Sequence, residues 1–147
     1  MEVAFYFRPL NNAYDDAKVI ELRKEYDFNS KNGLDEIIFA LDMDEVEEYS
    51  RFMFKIERSL KFDLSKLDFW NDAHYEKYQN LPDFVAFLKA LEKMILEAPD
   101  FWEYVIHWDT RIDYLKNQFL SDIRYLIQLC ELHASQFGST EIMIESD

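Results

Sequence analysis

Between Pro99 and Gln136 the chain reads PDFWEYVIHWDTRIDYLKNQFLSDIRYLIQLCELHASQ. Phe101, Val105, Trp108, Ile112, Leu115, Phe119, Ile123, Leu126 and Cys130 recur there at steps of three or four residues. That spacing stacks side chains on one side of an α-helix. A continuous helix of this length would run roughly 57 Å. Such a rod has to lie along neighbours, project from them or bend, so it constrains everything else. Pro99 suits a first helical position, which needs no amide hydrogen. Asp100 and Glu103 place negative charge at the positive end of the dipole. Gly138 supplies a left-handed stop just beyond Gln136. A second apolar set, Trp102, Ile106, Leu120, Ile127 and Leu129, lies off the first stripe. The breadth predicts a central helix buried on more than one side. A two-stranded coiled coil would show a narrower seam with charged flanks.

The remaining segments read as partners for that helix. Val3–Phe7 (VAFYF) is short, aromatic and bounded by Pro9, which predicts a strand. Asn11 or Asn12 caps an expected helix from Ala13 to Tyr26, with Ala13, Ala17 and Ile20 on its apolar face. Phe28–Gly33 (FNSKNG) is a loop with an Asn-Gly turn signal. Ile37–Leu41 is short enough to be a strand or a helix start. Asp42 and Asp44 look like fresh N-caps, which favours the strand. A helix from Met43 to Leu60 would face inward through Val46, Tyr49, Met53, Ile56 and Leu60. Lys61–Gln79 is irregular and anchored by Leu64, Leu67, Phe69 and Trp70, with Tyr75 and Tyr78 in a short helix. Pro82 opens a helix to Glu97 whose face is Phe84, Phe87, Leu88, Leu91 and Ile95. The two-residue link Ala98-Pro99 predicts that this helix doubles back onto the first half of the long one. Thr140–Glu145 (TEIMIE) reads as a last strand.

These expectations combine into one domain over residues 1–147. It is mainly α: a helical bundle around one long C-terminal helix, with a small β-sheet from short N- and C-terminal strands. Two Gly and three Pro in 147 residues leave too few turns for an all-β fold. The aromatic content, with 13 Phe, 9 Tyr and 3 Trp, exceeds what a disordered chain carries.

The net charge of −14, from 30 acids and 16 bases, disfavours nucleic acid and anionic membrane as direct partners. It attracts and steers a basic protein. MEVAFYFRPL lacks the basic start and apolar core of a secretory signal, and no apolar window is long enough to span a membrane. A reducing cytoplasm fits the single cysteine, which has no partner for an internal disulfide.

Motif-borne chemistry is scarce. His74, His107 and His133 are not set in Glu-x-x-His pairs or a Cys/His cluster, so no metal or other cofactor is expected. Cys130 and His133 are three apart on a helix, but Leu126, Ile127 and Leu129 surround Cys130 with apolar groups, where a thiolate is disfavoured. There is no nucleophile elbow, phosphate loop or dinucleotide fingerprint. No catalytic residue is assigned and no enzyme is expected.

One stretch carries unbalanced charge. DEIIFALDMDEVEE holds Asp35, Glu36, Asp42, Asp44, Glu45, Glu47 and Glu48 with no base, and Tyr49 follows. Acids at a helix start stabilise the helix by themselves. They also form a candidate docking patch for a basic surface, with Tyr49 as an anchor. In size and charge the chain resembles bacterial toxin-immunity proteins, a likeness that covers no motif and transfers no residue. It implies an inhibitor that neutralises a basic toxin such as a nuclease. Phage-type DNA mimics are the next reading, disfavoured because Arg111, Lys116 and Arg124 interrupt the acids of the long helix. A helical scaffold or oligomer subunit is the third. Light scattering separates a monomer from a homodimer. Far-ultraviolet circular dichroism should be dominated by helix; a strand-dominated spectrum would overturn the fold reading.

Overall fold

A computed structural model describes residues 3–8, 17, 61–67, 76–97 and 112–146. In chain order these form strand β1 (Val3–Arg8), a 3-10 turn (Ser65–Leu67), strand β2 (Gln79–Asn80), helix α1 (Leu81–Glu97), helix α2 (Ile112–Phe137) and strand β3 (Glu141–Ser146). Both expected terminal strands are present, as is the helix opened near Pro82. The long helix is described from Ile112 onward; its expected start at Pro99 lies outside the described residues. So do Ile37–Leu41 and the expected Met43–Leu60 helix. Of Ala13–Tyr26, Ala17 is described: it is helical but exposed, not on a buried face. Its single methyl suits a helix anywhere and carries little burial of its own.

The three strands make an antiparallel sheet in the order β1-β3-β2. Phe5 faces Ile144 across the β1–β3 ladder, and Phe7 faces Ile142. Opposed residues of an antiparallel pair share a face, so these four form one apolar side. Ile142 and Ile144 are buried with Phe84, Phe87, Leu88, Leu91 and Ile95 of α1 and Ile123, Leu126, Ile127 and Cys130 of α2. Leu64 and Leu67 join them from the 3-10 turn. Among the described residues the fold is thus mixed but mostly helical, with two helices packed on one face of a small sheet. The sheet is a wall of the core rather than an ornament, because β3 alternates buried Ile142 and Ile144 with half-buried Met143.

Cross-helix ion pairs fix the direction of α1 against α2. Lys89 meets Glu131 at 2.7 Å and Arg124 meets Glu92 at 3.3 Å, so the helices run antiparallel. A two-residue reversal at Ala98-Pro99 would have set Glu92 near Tyr104. Instead α1 packs on the second half of the long segment, because its partner Arg124 is 32 residues away. The apolar set of α1 shares a core with the 120–130 part of the stripe; Ala98-Pro99 itself lies outside the described residues. On α2 itself the second apolar set divides: Ile127 is buried, while Leu120 and Leu129 are half-buried. Ser121, Arg124, Gln128, Glu131 and Ser135 keep one stripe in solvent.

Local chemistry explains the element ends. Asn80 accepts the Asp83 N–H at 2.9 Å through Oδ1, which caps α1. Leu81 donates its own N–H to the Thr140 carbonyl at 2.9 Å, and Pro82 has none to donate. Asn80, rather than Pro82, is thus the start signal. Glu76 has φ 48°, which no helix allows, so Tyr78 is not in the short helix expected there; Tyr75 lies outside the described residues. At the far end of α2, Gly138 turns left-handed with φ 61°, and Ser139 donates its N–H to the His133 carbonyl at 3.2 Å.

Two outcomes follow for stability measured by chemical denaturation. Leu88→Ala removes a wholly buried side chain and should cost about 2–5 kcal/mol. Gly138→Ala should cost about 1 kcal/mol, since a Cβ is disfavoured at positive φ.

Candidate functional site

The acidic stretch expected to meet a partner, Asp35, Glu36, Asp42, Asp44, Glu45, Glu47, Glu48 and Tyr49, lies outside the described residues. What the described residues fix is their own share of the charge. They contain ten acids against eight bases. The chain has 30 acids and 16 bases, so twenty acids and eight bases, or −12 of the −14, belong to the rest. The helix–sheet core is close to electroneutral and partly self-paired. Arg8 meets Glu141 at 3.1 Å across the β1–β3 ladder, and its guanidinium also sits 4.0 Å over the Tyr78 ring. The Lys89–Glu131 and Arg124–Glu92 contacts are exposed to solvent. Pairs of that kind contribute at most about 1 kcal/mol each, but they leave little unbalanced charge on this part of the surface.

Of the three histidines, His133 is described. It is buried, with its ring flat on Phe7 at 3.8 Å and tilted against Phe137 at 5.2 Å. Sequence spacing placed it merely on a helix flank. The signal for its role was the Phe137 one turn on, which brings two rings onto one face. Its stacking joins α2 to β1, from nearly opposite ends of the chain. His74 and His107 lie outside the described residues. Among those described, no group of three or more His, Cys, Asp or Glu side chains comes together as metal ligands would.

Cys130 lies wholly inside the core. Burial pushes its thiol well above the ordinary cysteine range, and the neighbouring Glu131 charge pushes the same way. An activated cysteine needs the opposite environment, so Cys130 is a packing residue. Sequence reading passed over two residues with enclosed polar atoms, half-buried Gln79 and buried Ser139. Gln79 faces Ile142 on the core side of the sheet. Its Nε2 donates to the Lys66 carbonyl at 3.2 Å, while its Oε1 has no hydrogen-bond partner. Ser139 Oγ is likewise buried and unpartnered. Each costs stability.

Compared with known proteins, the chain matches no family model, no curated protein and no solved structure. No helix among the described residues is long and apolar enough to cross a membrane.

Cys130 gives a test in the alkaline range. An unfolded thiol ionises near pH 8.5, whereas burial keeps the folded one protonated. Above that pH the unfolded state binds fewer protons, so stability falls as pH rises, by up to about 1.4 kcal/mol per unit from this group. Cys130→Ala should cost about 1–2 kcal/mol at neutral pH and flatten the alkaline decline. Native Cys130 should react slowly with a thiol reagent and quickly once denaturant is added; rapid labelling of the native protein would contradict the assignment.

Proposed function

We propose that the chain is an acidic protein-binding domain that neutralises a basic protein partner, an immunity- or antitoxin-type inhibitor of a toxin such as a nuclease. The carrying observation is the distribution of charge. Seven carboxylates fall within Asp35–Glu48 with no base among them, whereas the helix–sheet core is nearly balanced. A run of like charge with no base of its own attracts a basic partner. A toxin site built to hold phosphates presents the complementary sign, and such complementarity speeds the encounter more than it deepens affinity. Tyr49 supplies apolar area beside the acids, as interface centres require. The proposed setting is the cytoplasm, with no nucleic acid, membrane or cofactor taking part.

The reading favours an inhibitor over a DNA mimic for a reason on the long helix. Arg124 is exposed on the same solvent stripe of α2 as Glu131, and a base there breaks a phosphate-like array.

The test begins with a partner recovered from native lysate on the immobilised chain and eluted with salt. Asp44, Glu47 and Glu48 are then changed to Asn, Gln and Gln, leaving Asp42 and Glu45, whose capping would confuse stability with binding. Association at low salt should slow by about tenfold, its salt dependence should weaken, and the circular dichroism spectrum should stay the same. An unchanged association rate would reduce the patch to a solvated helix start.

A further inference from the structure

We draw no further inference here: the strongest candidate, the outer edge of strand β1, which no described strand pairs, carries nothing because nothing in the structure shows what covers it.

Discussion

The described architecture depends on one dry seam, where Ile123, Leu126 and Cys130 of α2 share a core with Phe84, Leu88 and Leu91 of α1 and with Ile142 and Ile144 of β3. Each element contributes an apolar side to this seam, and lone helices and small sheets are marginal in water without such packing. The seam also fixes geometry. Between α2 and β3 only Gly138, Ser139 and Thr140 intervene, so the chain must turn within three residues. Gly138 makes that turn feasible through its positive φ. Thr140 then ties the layers together: its N–H goes to the Arg8 carbonyl at 3.2 Å, and its carbonyl accepts the Leu81 N–H at 2.9 Å. Through one residue, β1, β3 and the start of α1 are held in register.

The sequence shows the periodic parts of this arrangement clearly, because burial imposes periods. The face Phe84, Phe87, Leu88, Leu91 and Ile95 was readable before any coordinates, and all five are buried. Leu64 and Leu67 could be picked out as anchors in an irregular stretch, since large aliphatic side chains there have few other uses. β2 was not readable. Gln79-Asn80 is two polar residues, and it becomes a strand because β3 offers it a ladder and Asn80 caps the helix that follows. That is tertiary context acting on a segment without propensity. The packing of α1 was misplaced for a related reason. Link length speaks only to the residues beside the link, whereas apolar complementarity acts along the whole length of the helices.

Polar groups were legible to a lesser degree. Nothing in the local pattern marks Gln79 as core-facing; its position follows from the pairing with Ile142, which sequence spacing does not specify. His133 is an intermediate case. Its four-residue spacing from Phe137 was visible, but its contact with Phe7 crosses nearly the whole chain. The proposed docking residues were conspicuous for a different reason. A run of like charge with no base within it stands out in a sequence even when no structure is at hand.

This difference separates what holds the protein together from what it is proposed to bind. The core is apolar, and its surface ion pairs are exposed and individually weak, so added salt leaves its main stabilising term untouched. The acidic excess behaves in the opposite way. Its carboxylates repel one another, which costs stability in the free protein, and that cost falls when opposite charge arrives. A basic partner therefore gains from two sources: its own attraction to the patch and the relief of repulsion within it. Neither source requires the core to rearrange, because the charge and the apolar seam are carried by different residues. Substitutions among Asp35–Glu48 therefore change none of the residues that form the described core.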